Sequence, residues 1–146
     1  MTGIVDQLNA SAPPYIRTLG GKIDSFDKHS GVIEFHFMAN ESHTHSDDII
    51  QGGFVAGMLD AAMAHVVFCT LDRVVILATL EMKVSYLDIA RPGKLVARGW
   101  VLRMGKTIGF LEADLTAADG TVLAKASSTV RIIHRQPAIK IGSQSG

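Results

Sequence analysis

Residues 49–63 read IIQGGFVAGMLDAAM, and one acid, Asp60, stands in the middle of an otherwise apolar run. Burying a carboxylate is costly, and unpaired buried carboxylates are rare. Asp60 is therefore either satisfied by backbone donors or held out of water for its reactivity. The segment 52–70 has no proline and is rich in Ala, Met and Leu. That composition predicts a helix of roughly 27 Å at 1.5 Å per residue. It is apolar nearly all round, so it belongs at the centre of the fold with other elements wrapped about it. The stretch 49–68 is also long enough to cross a membrane. However, it contains Gln51, Gly52, Gly53, Asp60 and His65. A central Asp alone costs roughly 2.5–3.5 kcal/mol on insertion, and a span is rejected.

Working outward, residues 4–11 read as a short helix that Ala12-Pro13-Pro14 ends. Residues 15–26 read as a strand interrupted at Gly20-Gly21, which suggests a bulge. Asp27-Lys28-His29-Ser30-Gly31 is a turn. In 32–38, Ile33, Phe35 and Phe37 alternate with Glu34 and His36, the pattern of a half-buried strand. Residues 40–48 read as a polar loop. Four strand-like runs follow the helix: 75–88, 94–103, 107–116 and 121–133. In the first, Leu80, Met82, Val84 and Tyr86 are expected on one face and Thr79, Glu81, Lys83 and Ser85 on the other. In the third, Leu111, Ala113 and Leu115 oppose Glu112 and Asp114; in the fourth, Val122, Ala124 and Ala126 oppose Lys125. Asp119-Gly120 is a strong hairpin signal. The order strand–strand–long helix–four strands predicts an α+β fold, with five to six antiparallel strands curled around one helix.

The chain has 146 residues, enough for one domain with a real core. Residues 15–133 form the expected core, and 136–146 read as a flexible tail. Fourteen basic and 14 acidic side chains give zero net charge. No basic block suggests a nucleic-acid partner. The single cysteine, Cys69, excludes an intrachain disulfide and fits a reducing compartment. MTGIVDQLNASAPP lacks a cationic region followed by a long apolar core, so a cytoplasmic location is expected.

Gly52-Gly53 fall at the helix start, where orphan N–H groups and the positive end of the dipole suit a negative oxygen. Asp60 lies two turns on, about 11 Å along the axis from Gly53. Amides and carboxylate from one subunit are too far apart to grip one reacting carbon. They can do so if two subunits each supply one half, which makes a homodimer part of the expected mechanism.

Gln51-Gly52-Gly53, six further residues, then Asp60-Ala61-Ala62 resembles the hotdog-fold acyl-CoA thioesterases of the phenylacetyl-CoA thioesterase (PaaI-like) group. In that group the helix begins His-Gly-Gly and carries Asp at this spacing. The resemblance continues through Thr79-Leu80-Glu81-Met82-Lys83-Val84-Ser85-Tyr86-Leu87, Arg91-Pro92-Gly93, Gly105-Lys106-Thr107 and Gly120…Leu123-Ala124-Lys125-Ala126, covering roughly residues 15–133. It implies a hotdog fold, an acyl-CoA substrate and hydrolysis to acid and CoA, with no metal or redox cofactor. By position, Asp60 matches the catalytic carboxylate, as nucleophile or general base. Gly52 matches the glycine whose N–H polarises the thioester carbonyl, and Thr79 a residue that holds the attacking water. Gln51 replaces the usual His; its amide can hydrogen-bond but cannot titrate. His45 falls where many members have Asn. Gly53, Arg91, Arg103 and Lys106 are expected to help bind substrate, the cations by holding the CoA phosphates. A homodimer or a dimer of dimers is expected.

Other readings are weaker. A non-catalytic hotdog module binding acyl-CoA or acyl-carrier protein is the alternative to the enzyme. His43-Thr44-His45 with Asp47-Asp48 invites a metal, but a polar loop without a second ligand cluster is ordinarily just solvated. Asp60 and His65 have the Asp-x4-His spacing of hotdog hydratases, but five helical residues turn 500°. That leaves the two side chains about 140° apart and, on this reading, in different sites. Cys69, late in an apolar helix, is expected to be inert. Met58 and Met63 read as core.

Overall fold

In the computed structural model, which describes residues 3–138, the central element is the helix expected from 52–70. Two short helices, α1 (Ile4–Ala10) and α2 (Pro14–Thr18), precede strands β1 (Gly21–Asp27) and β2 (Val32–Ala39). A 3-10 turn (Glu41–His43) leads into the small hairpin β3 (Thr44–Ser46) and β4 (Ile49–Ile50), and then into α3 (Gly52–Leu71). Strands β5 (Ile76–Tyr86), β6 (Gly93–Met104), β7 (Ile108–Ala117) and β8 (Val122–Ile133) follow. Six strands form one antiparallel sheet in the order β1-β2-β6-β7-β8-β5, with α3 packed across it. This is the hotdog arrangement that the resemblance implied.

The core follows from the alternations in the sequence. Ile33, Phe35 and Phe37 of β2 and Leu111, Ala113 and Leu115 of β7 face α3 and are buried. Met58, Leu59, Ala62, Met63, Val66 and Val67 answer from the helix. Gly99 in β6 lets the two layers close: a Cβ there would lie 2.9 Å from the Ala62 carbonyl oxygen. The apolar character of α3, sufficient in length and hydropathy for a membrane span, is taken up by the sheet on much of its surface.

Five expectations need correction. Residues 15–18 are helical, not strand. Pro14 sits at the first helical position, where its fixed φ favours a start and its missing N–H costs nothing. Gly20, at φ +68°, ends that helix, and the bulge lies instead between Ile23 and Ser25. The loop 40–48 contains the 3-10 turn and β3, and His43 within it is buried. Leu80 does not join Met82 and Val84 on the inner face. A bulge between Thr79 and Glu81 breaks the alternation, and Leu80 is 57% exposed. Val122, at the start of β8, is also exposed. Of the expected tail, 136–138 are irregular, and the rest lies outside the described residues.

Candidate active site

A cavity of about 650 Å³ opens beside the middle of α3. Leu8 and Pro13 from the N-terminal segment, Phe68 of α3, and Leu77 and Val130 of the sheet give it apolar walls. The reciprocal hydrogen bonds of the Asn9 amide with Ile23 N–H and C=O, each 2.9 Å, pin α1 to β1 beside it.

Asp60 lines this cavity and is half-buried. Burial raises its carboxyl above the ordinary value of 3.8, while a hydrogen bond from the Thr79 hydroxyl pulls the other way. The net shift is upward, so desolvation wins. Thr79 stands on β5 at the same wall, just before the bulge. Tyr15 reaches the cavity from α2. Although 47% of its surface is exposed, its phenol is pushed up to about 12, by burial first and by the Asp60 charge second. The carboxylate is thus ringed by two hydroxyls and an apolar wall.

Gln51, Gly52, Gly53 and His45 do not border this cavity. Gln51 caps α3: its Oε1 accepts the Gly53 N–H at 2.7 Å. The Gly52 N–H, first of the helix, has no intrahelical acceptor, and no described residue accepts from it. Its carbonyl accepts from the Tyr86 hydroxyl at 2.7 Å, and the Tyr86 ring lies over the Gly52 Cα, where a Cβ would be 3.3 Å away. Of the two glycine amides, Gly52's is therefore open to an incoming oxygen and Gly53's is already engaged. His45 is exposed on β3, with Nδ1 2.7 Å from the Ser46 hydroxyl. Contact with Gln51 comes from His43, whose carbonyl accepts the Gln51 N–H at 2.9 Å.

The three cations do not meet. Arg91 precedes β6 and donates to the Asp47 carbonyl at 3.1 Å. Arg103 and Lys106 lie at and beyond the far end of the same twelve-residue strand, about 40 Å away at 3.4 Å per residue. One subunit cannot gather them around one phosphate group.

Several residues have places that the sequence did not foretell. His43 is 1% exposed. It accepts the Asn40 N–H at Nδ1 (3.0 Å), and its Nε2–H donates to the Thr18 carbonyl (2.7 Å), so it is a structural tie rather than a metal ligand. Tyr15 carried no motif and Tyr86 no assigned role; they find their places only through α2 and the sheet edge. His65 borders the same cavity as Asp60, against the expectation of separate sites. The cavity is lined by helix positions 60, 64, 65 and 68, at about 0°, 40°, 140° and 80° around the axis. A cavity that wraps so far around the helix accommodates both side chains.

The sequence pattern of the thioesterase superfamily matches residues 48–124, more than half of the chain. The chain belongs to the thioesterase superfamily. As a thioester hydrolase of that superfamily, it is 29% identical to the human acyl-coenzyme A thioesterase 13 over 111 residues, spanning 75% of this chain and 79% of the relative. The solved structure of a phenylacetic acid degradation-related protein from Ralstonia eutropha superposes with a TM-score of 0.78 at 30% identity, covering 89% of this chain and 99% of that one. The PaaI protein of the E. coli phenylacetic acid degradation operon superposes at 0.79 with 16% identity, over 90% and 93% of the two chains, a likeness of fold.

Proposed function

We propose that this thioesterase hydrolyses acyl-CoA thioesters to the free acid and CoA, at sites shared between two subunits. The observation that carries the reading is Asp60: a carboxylate with a raised pKa, hydrogen-bonded by Thr79, at the edge of an apolar cavity that suits an acyl chain. The human relative's name supports CoA as the leaving group. Asp60 takes a proton from a water held with Thr79, and the water's oxygen attacks the thioester carbon. The Gly52 N–H holds the developing oxyanion, work for which one donor is typically worth about 2.7–4 kcal/mol. The tetrahedral intermediate collapses, CoA leaves as its thiol with the transferred proton, and the acid remains. Direct attack by Asp60 uses the same groups; its raised pKa and the neighbouring hydroxyl favour the base. The reaction needs no metal or redox cofactor.

Gly52 lies about 12 Å along α3 from Asp60, so a second subunit must bring the two halves together. Strand β5 is suited to do so. It is an edge strand of eleven residues whose outer N–H and C=O groups meet no neighbouring strand among the described residues, with Leu80 and Tyr86 in it and Leu87 and Ile89 after it exposed. Such an edge is a template for pairing. Antiparallel pairing with a second copy about Glu81 would set Tyr86 opposite Ile76. Tyr86 holds Gly52, and Leu77 and Thr79 wall the cavity. One subunit's Gly52 amide would then stand at the cavity of the other, beside Asp60 of the partner subunit. A pair of such dimers forms the tetramer expected for the group. Cys69, buried and raised to about 11 by desolvation and the Asp72 charge, is inert. Together with the lack of any other cysteine, it fits a cytoplasmic setting.

The test is thiol release from a panel of acyl-CoAs by the parent protein and by Asp60→Asn. The parent should turn over at least one member, and the variant should lose about 10²–10⁴-fold in kcat on it. An Asp60→Asn enzyme within about threefold of the parent, under 0.7 kcal/mol, contradicts the assignment. Saturable acyl-CoA binding without thiol release would favour the non-catalytic module.

A further inference from the structure

His65 takes no part in the reaction above, yet it is the polar group most enclosed in the cavity. It is 4% exposed. Its ring is fixed by edge-on contacts with Phe35 and Phe68, centroids 5.2 and 5.4 Å away. Its Nδ1 lies 2.8 Å from the Ala61 carbonyl oxygen. A carbonyl only accepts, so Nδ1 carries the proton, and in the neutral ring Nε2 bears a lone pair. Burial, acting against that hydrogen bond, lowers the pKa below the ordinary 6.5 and keeps the ring neutral. No described residue donates to Nε2. The atom is not among the sealed side-chain nitrogens and oxygens that lack a partner, and the residue lines the cavity. With Nδ1 engaged, Nε2 is the polar atom that His65 has to offer the cavity it lines.

From these observations, and resting on the acyl-CoA reading, we propose that His65 is a specificity-determining residue whose Nε2 accepts a hydrogen bond from a hydroxyl carried by the acyl chain. A site that presents a buried, fixed acceptor discriminates against an analogue lacking the donor, because that analogue leaves the acceptor unpaired. Position along the helix sets the reach. His65 is five residues beyond Asp60, about 7.5 Å along the axis and about 140° around it, so the two side chains stand farther apart than the axial rise alone. A hydroxyl on the third carbon of the acyl group lies too near the thioester; one on the fifth to seventh carbon can reach Nε2 while the carbonyl stays beside Asp60. The preferred substrates are thus acyl-CoAs hydroxylated part-way along the chain.

The experiment compares octanoyl-CoA with its derivatives hydroxylated on the third, fifth or seventh carbon. kcat/KM is read on the thioesters, and Kd by calorimetry on the matching non-hydrolysable thioethers. For the parent protein, the better of the fifth- and seventh-carbon derivatives should exceed the plain chain by at least about tenfold in both readouts, and the third-carbon derivative should stay within about threefold. His65→Leu, which removes the acceptor, should bring all four within about threefold; His65→Gln, which restores one, should regain part of the preference. A parent without the tenfold preference in Kd, or a His65→Leu protein that keeps it, overturns the proposal. If no thioester is turned over, the hydrolase reading fails, and the thioether Kd values still decide the role of His65. If His65→Leu does not fold, the parent panel and His65→Gln decide it.

Discussion

Asp60 is held at a cost to the fold, and that cost is measurable. Its folded pKa lies above the ordinary 3.8, so between the two values the native state binds more protons than the unfolded chain. Stability therefore falls as pH rises through that window, and the deficit persists at neutral pH. Asp60→Asn removes the charge and should raise the melting temperature at pH 7, with the gain vanishing below the ordinary carboxylate range. An unchanged melting temperature across that range would show that the carboxylate is not desolvated. The acidic limb of kcat in the parent should likewise lie above the usual carboxylate range, because the base works only when ionised. Asp60 was legible in the sequence because an acid in an apolar run is chemically anomalous wherever it occurs. His43, Tyr15 and His65 were not, since their roles come from partners distant in sequence: Thr18 for His43, Asp60 for Tyr15, Phe35 for His65.

The start of α3 separates two jobs that the sequence shows as one motif. Gln51 uses its side chain to cap the helix on Gly53, which leaves the Gly52 N–H as the open donor. Gly52→Pro tests this without melting the helix. Proline is tolerated at the first helical position, and Gln51, at φ −63° and ψ 137°, already has the backbone that precedes proline. Gly52→Ala keeps the N–H and serves as the control for the Tyr86 ring, since its Cβ would sit 3.3 Å from that ring. Gly52→Pro should lose about 10²–10³-fold in kcat relative to Gly52→Ala, with equal helical circular dichroism; equal kcat for the two would remove the amide from the mechanism. The strand alternations were readable because burial on one side of a sheet imposes a period of two. They failed at Leu80, where a bulge shifts the phase, and in α2, where Pro13-Pro14 marks the end of one helix and the start of the next.

On the proposed mechanism a single subunit carries two half-sites, so the reading requires an assembly. The helix arithmetic already separated Gly52 from Asp60 in the sequence. The edge position of β5, which the sequence could not show because strand order is a long-range property, is the surface proposed to join them. In solution the mass should be an even multiple of the 15.6 kDa chain, and a fully active monomer would rule out the shared site. The most direct measurement mixes two inactive proteins, Gly52→Pro and Asp60→Asn, under conditions that exchange subunits. In a mixed dimer, one site receives both lesions and the other receives none. Random exchange should therefore restore about one quarter of the parent activity per subunit. A mixture that stays as inactive as its two components would place Gly52 and Asp60 in the same subunit's site and contradict the shared geometry.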